Sequence, residues 1–346
     1  MEGRGDLGKG GTLAGSSAGA SVEPAWRTLL AGAVRDPDEL WRLLALPADQ
    51  LPAARRAAAA FPLLVPRGFL ALMAPGRLDD PLLRQVLPLG AEEHDPPGFS
   101  GDPLHEDGFE AVPGLIRKYA SRALLVTTGA CAVHCRYCFR REFPYQSLPR
   151  GRRWWAPALA WLETHPEVDE VLLSGGDPLT LPDDQLAALA ADLAAIPHLR
   201  RLRLHTRLPV VLPERVDGRL LAWLGATRLR PVVVIHANHP RELSPAVVEA
   251  CARLRGAGAP LLNQSVLLAG VNDDAAVLAA LSLALFDAGV LPYYLHALDR
   301  VRGAGHFLVE DGPARALADE LAVRLPGYLV PRLVREEPGR AHKVPV

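Results

Sequence analysis

From Ala123 onward one texture repeats: a short run of apolar, β-branched or aromatic residues, then enough chain for a single helix. The runs are ALLVTT from Ala123, EVLLSGG from Glu170, RLRLHT from Arg201, PVVVIHA from Pro231, LLNQSVL from Leu261 and PYYLHAL from Pro292. The segments between them, such as DDQLAALAADLAAI, SPAVVEACARLRGAG and AAVLAALSLALFDAG, open after Asp, Ser or Pro and close at Gly, as helix caps prefer. Continuous apolar strands are buried on both faces, and strands joined through helices run parallel. Six such units predict an α/β fold, a partial (β/α)6 TIM-like barrel, with its reactive groups at the C-terminal strand ends. GYLVPRLVREE adds one more strand, followed by a tail that has to pack somewhere.

Ahead of the barrel, PAWRTLLAGAV, DPDELWRLLALP and LPAARRAAAAFPLLV carry helical patterns broken at Pro and at the turn-rich HDPPGFSGDPLHEDG. The expected organisation is a disordered Gly/Ser-rich stretch over 1–20, a helical region over 21–108, the barrel over 109–330 and a tail over 331–346. The first twenty residues lack the apolar core of a secretory signal. The longest apolar stretch, Ala275 to Phe286, falls short of the roughly 18 to 20 residues that cross a bilayer. A soluble, cytoplasmic protein is expected. With 38 basic against 39 acidic side chains, no overall field attracts nucleic acid or an anionic membrane, and neither is expected as a partner.

Cys131, Cys135 and Cys138 form C-x3-C-x2-C in the loop after the first barrel strand, whereas Cys251 lies apart. In a reducing compartment such a group points to metal rather than to disulfides. Three thiolates can hold three irons of a 4Fe-4S cube and leave the fourth iron open. The rival is a structural zinc completed by His134, against which stand the crowding of C-x2-H-C and the lack of a second cysteine pair. A second signal lies in the basic residues, of which only Lys9, Lys118 and Lys343 are lysines. A lysine kept against so strong an Arg bias points to a task closed to a guanidinium, namely losing its proton and acting as an amine nucleophile. Against this, a lone C-terminal lysine is by default a solvated charge.

CAVHCRYCFRREFPY, with the aromatic Tyr137 before its third cysteine, resembles the cluster loop of radical S-adenosylmethionine enzymes. From about Leu115 to Lys343 the chain resembles the lysine 2,3-aminomutase family, through RKYASRALLV, LLSGGDPL, HTRLPVVLPERV, HANHPREL, LLNQSVLLAGVND and PYYLHALDRVRGAGHF. The resemblance implies a 4Fe-4S cluster on Cys131, Cys135 and Cys138, whose open iron is chelated by S-adenosylmethionine. It implies that Tyr137, the SGGD segment (Ser174, Gly175, Gly176 and Asp177), His236 and Gln264 bind that cofactor. Glycines there would let the backbone approach a ligand closely. Taken alone, GGDP is a common strand-to-loop turn, and His236 and Gln264 are hydrogen-bonded core residues.

The same resemblance implies that Lys343 forms a Schiff base with pyridoxal 5′-phosphate and that Lys118, Tyr119 and Arg122 hold the cofactor in place. Arg140 would fork onto the substrate carboxylate. Asp299 and Glu336 would hold the distal ammonium of L-lysine; Glu stands at the second position where the family has Asp, and two acids disfavour a glutamate substrate. The implied activity is the isomerisation of L-α-lysine to (R)-β-lysine, started by an adenosyl radical and fed by an electron donor such as a flavodoxin. Longer family members continue past the Schiff-base lysine into a zinc-binding tail, whereas this chain stops at Val346. In this it resembles the group whose β-lysine passes through a lysyl ligase to elongation factor P. Two rivals stand beside this reading: a free-standing 2,3-aminomutase serving other metabolism, and a non-catalytic iron-sulfur or zinc-binding protein.

Overall fold

The computed structural model describes residues 24–149, 151 and 153–346, so the stretch expected to be disordered, 1–20, lies outside the described residues. One sheet carries ten strands in sequence order: β1 (Glu110–Val112), β2 (Leu115–Ile116), β3 (Arg122–Thr128), β4 (Glu170–Gly175), β5 (Arg201–Thr206), β6 (Arg230–Ile235), β7 (Leu261–Val266), β8 (Leu291–His296), β9 (Arg332–Arg335) and β10 (Val344–Pro345). Strands β3 to β9 are parallel, while β1, β2 and β10 pair antiparallel at the two edges. The six expected strands are β3 to β8, and GYLVPRLVREE supplies β9. The order ends at β1 and β10 without joining them, which leaves the barrel open. The β1–β2 hairpin and the two-residue β10 were not expected; strands this short carry no periodicity to find.

Acidic and hydroxyl caps start three of the helices on the outside. Asp217, Ser244 and Asp274 accept from the free backbone N–H groups of the helices Gly218–Ala226, Pro245–Gly256 and Ala275–Asp287. Strand β4 is buried along its middle, but β5 and β7 alternate between buried and half-buried residues. On those two strands Arg203, His205, Gln264 and Val266 face an internal cavity instead of a filled core. A parallel barrel strand with one polar face therefore marks the wall of a site.

The leader is helical over Ala25–Ala31, Pro37–Leu44, Leu51–Ala60, Arg67–Leu70 and Pro81–Arg84. Its Trp26, Leu40, Leu63, Phe69 and Leu82 belong to the same apolar core as Leu125, Leu173, Leu202 and Leu204 of the strands. It also grips the cysteine loop. Arg136, fully buried between Cys135 and Cys138, forks onto Glu92 at 2.8 and 2.6 Å and donates to the Phe61 carbonyl at 2.7 Å. Arg141 adds a third bond to Glu92, and the Gln85 carbonyl accepts from Arg136 N–H. Removing one partner of a buried pair strands the other charge, at about 3–5 kcal/mol. Glu92→Ala is accordingly expected to lower unfolding free energy in denaturant by about that much, against less than about 1 kcal/mol for Arg56→Ala, whose pair with Glu93 is exposed.

Candidate active site

Every residue singled out from the sequence as a site residue lines one cavity of about 270 Å³ at the C-terminal ends of the parallel strands. The cysteine loop follows β3, SGGD closes β4, and Thr206 closes β5. His236 follows β6, Gln264 lies on β7, and Asp299 comes three residues after β8. Glu336 follows β9. There the chain turns back and pairs β10 against β9, with Arg335 opposite Val344, which returns Lys343 to Glu336. The tail thus packs as a hairpin that closes one side of the cavity.

Both lysines among the described residues end on one carboxylate. Glu336 accepts from Lys343 Nζ and, at 3.1 Å, from Lys118 Nζ. Burial works against its charge, but the ammonium groups of Lys343 and Lys118 outweigh burial and hold it down to about 2. Nearby, Arg122 stacks on the Tyr119 ring with its guanidinium carbon 3.7 Å from the centroid, and has no carboxylate partner among the described residues. A cluster of Lys118, Tyr119 and Arg122 with one guanidinium uncompensated fits a phosphate group. Asp299 is the opposite case. Its carboxyl has no hydrogen-bond or ion-pair partner among the described residues, and burial lifts it to about 7 although Lys343 pulls the other way.

At the other end, all three thiols of the triad are free. Burial pushes Cys138 up to about 11, helped by Cys135, and burial, with Cys138, Asp177 and Cys135 beside it, holds Cys131 well above the usual thiol range. With the ionisation of Cys131 and Cys138 resisted by burial and by neighbouring thiols, a strong local positive charge is needed to make them thiolates, which bound iron would supply. Among the described residues no three His, Cys, Asp or Glu side chains converge closely enough to hold one metal ion. A cube makes no such demand, because each thiolate binds a different iron. His134, the residue that would complete a zinc set, turns to the leader, its Nδ1 2.8 Å from the Pro62 carbonyl and its ring stacked on Phe61.

The cavity wall also carries imidazoles that ask for a ligand. Nε2 of His205, His236 and His296 is buried without a hydrogen-bond partner, and burial brings His236 and His296 down to about 3, so each ring is neutral. Tyr137 sets its ring edge-on to His236 at 6.0 Å, while its hydroxyl accepts from Arg207 and Asn238. These features fit a heteroaromatic, polar cofactor.

Three of the expected site positions also make contacts within the protein. The SGGD glycines line the cavity and also make room for protein: a Cβ on Gly175, at φ +119°, would lie 2.6 Å from the Thr128 carbonyl, and one on Gly176 would lie 2.3 Å from that of Ala130. They let the end of β4 pack against the cysteine loop, with Gly176 and Asp177 N–H donating to those same two carbonyls. Asp177 spends its carboxylate on Thr206 Oγ1 and the N–H groups of Leu179, Arg207 and Leu208, which stitches the ends of β4 and β5 together. Arg140 already uses its fork on Glu106, at 2.7 and 2.8 Å, and leaves only the Nη1 edge, shared with Ser174 Oγ at 3.0 Å, toward a substrate carboxylate.

Glu106 and Arg207 were missed. Glu106 lies in a polar, turn-rich stretch read only as a break, and its role depends on Lys118 at 3.6 Å and on Arg140, 34 positions away in sequence. Arg207 follows β5 directly, a position where a charged residue could have been taken as a site candidate. Its guanidinium joins Cys135, Tyr137, Gln85 and Glu242.

No protein-family model matches the chain. No helix among the described residues is long and apolar enough to cross a membrane. An L-lysine 2,3-aminomutase of Escherichia coli K12 is 51% identical over 322 residues, covering 93% of this chain and 94% of that protein. The protein of the same name from Haemophilus influenzae is 46% identical, covering 93% and 95%. Among solved structures, a radical SAM methyltransferase from Sphaerobacter thermophilus superposes with a TM-score of 0.45 at 16% identity, covering 64% of this chain and 68% of that one. At such identity over nearly the whole of both sequences, the chain belongs to the L-lysine 2,3-aminomutase family of isomerases.

Proposed function

We propose that this protein isomerises L-α-lysine to (R)-β-lysine as a radical S-adenosylmethionine enzyme that also uses pyridoxal phosphate, and that its product serves the β-lysylation of elongation factor P. The observation that carries the reading is the cavity itself, which joins three free thiols at one end to a lysine amine, an uncompensated guanidinium and an unpaired carboxyl at the other. When bound, a 4Fe-4S cluster with S-adenosylmethionine supplies the radical, and pyridoxal phosphate supplies the aldehyde that carries the migrating nitrogen.

The chain's own residues divide the remaining work. Cys131, Cys135 and Cys138 hold the cluster; His236, Gln264 and the Tyr137 ring line the S-adenosylmethionine end, with the SGGD turn bracing the wall beneath it. Lys118, Tyr119 and Arg122 receive the phosphate. Lys343 supplies the amine, and to do so it must leave Glu336 and lose a proton. The distal ammonium of lysine gives Glu336 a replacement partner, so substrate and Lys343 exchange places on one carboxylate. Arg140 meets the substrate carboxylate through Nη1 beside Ser174. Buried walls keep water and stray hydrogen donors from the radical. A flavodoxin-type donor delivers the electron, and an elongation factor P lysyl ligase takes the product.

Asp299 gives this reading a pH signature. Only its carboxylate pairs with an ammonium, and it titrates at about 7. Below that pH each lysine bound must displace one proton, so affinity falls about tenfold per pH unit on the acid side and levels off above. Lysine binding to the holoenzyme, followed from about pH 5.5 to 8.5, is expected to show this slope and to lose it in Asp299→Asn. A flat wild-type profile contradicts the assignment. The reaction itself is tested by anaerobic reconstitution with iron, sulfide and pyridoxal phosphate, then assay with S-adenosylmethionine, a reductant and either L-lysine or L-glutamate. β-Lysine is expected; rearrangement of glutamate and not lysine refutes the substrate.

A further inference from the structure

The buried network around Arg207 has no place in substrate binding, yet it ends on a cluster cysteine. Arg207 Nη1 donates to Cys135 Sγ and, at 2.7 Å, to Tyr137 Oη; Nη2 donates to Gln85 Oε1 at 2.6 Å and to Glu242 Oε2 at 3.2 Å. Gln85 and Glu242 are both 0% exposed, and Gln85 Nε2 donates to Glu242 Oε1 at 2.9 Å. Asp177 fixes the backbone by accepting from Arg207 N–H at 2.7 Å. A planar fork held from this many sides delivers one N–H to one sulfur, which a flexible ammonium would not do.

We infer that Arg207 is a positioning residue that raises the reduction potential of the cluster, through its hydrogen bond to Cys135 Sγ and its charge, with Glu242 damping the effect. The inference rests on the proposal that the three cysteines carry a 4Fe-4S cluster. Adding an electron increases negative charge on the cluster sulfurs, so a nearby cation and an N–H···S bond favour the reduced form. Little water intervenes at this depth to screen either charge. Arg207 and Glu242 should therefore act with opposite sign.

The test is a redox titration of the reconstituted protein, with the reduced cluster followed by electron paramagnetic resonance. Arg207→Gln is expected to lower the reduced-to-oxidised ratio at a fixed potential by roughly tenfold, a downward shift of about 59 mV for one electron. Glu242→Gln is expected to raise the ratio. If neither variant moves the potential, or both move it the same way as general loosening would, the inference is overturned. Should Arg207→Gln take up no iron, Glu242→Gln decides the matter, since it leaves the guanidinium in place: a rise supports the inference and no change overturns it. Wild-type protein that assembles no cluster refutes the underlying proposal instead, an outcome distinct from a cluster whose potential stays fixed.

Discussion

Lys343→Ala is expected to lower β-lysine formation by at least roughly a thousandfold and to abolish the visible absorbance of bound pyridoxal phosphate. Lys343→Arg should be just as inactive. It keeps a cation beside Glu336 but has no amine that can lose a proton near neutral pH. If the role of Lys343 were only to neutralise Glu336, the arginine variant would retain activity, so the pair of variants separates covalent from electrostatic use. Folding should survive both changes, because Glu336 keeps Lys118 at 3.1 Å, and thermal melts followed by circular dichroism check this.

Cys138→Ala is expected to remove the cluster and all rearrangement. Reconstituted wild-type protein should hold about four irons per chain and the variant close to none. Cys251→Ala is the internal control. That thiol is buried among apolar residues on the helix Pro245–Gly256, away from the cavity, so iron content and activity should be retained. An equal loss of iron in both variants would mean that general misfolding, not ligation, is being measured.

The barrel was legible because short strand-like runs recur with enough chain for one helix between them, and each of the six runs became a parallel strand. The edge pieces were not, since two- and three-residue strands leave no pattern. AVPGLI does carry a Pro-Gly turn between apolar pairs, the one signal that could have revealed the β1–β2 hairpin. In the site, Lys118 and Lys343, 225 positions apart, meet on Glu336, a contact that the scarcity of lysine did not foretell. Spacing alone could not show that Arg140 is already paired, because Glu106 reaches it from a loop with no periodicity of its own. Nor could it show which way the SGGD glycines face, as that depends on how closely the end of β4 approaches the cysteine loop.

On the proposed function, one property would separate this cavity from a passive metal site: a fourth iron left open for S-adenosylmethionine. The most direct measurement is the electron paramagnetic resonance spectrum of the reduced, reconstituted protein before and after adding S-adenosylmethionine. A cluster held by Cys131, Cys135 and Cys138 alone is predicted to change its signal as the cofactor binds the vacant iron. A signal that stays the same at saturating S-adenosylmethionine, or purified protein carrying tetrahedral zinc in place of iron, would contradict the account.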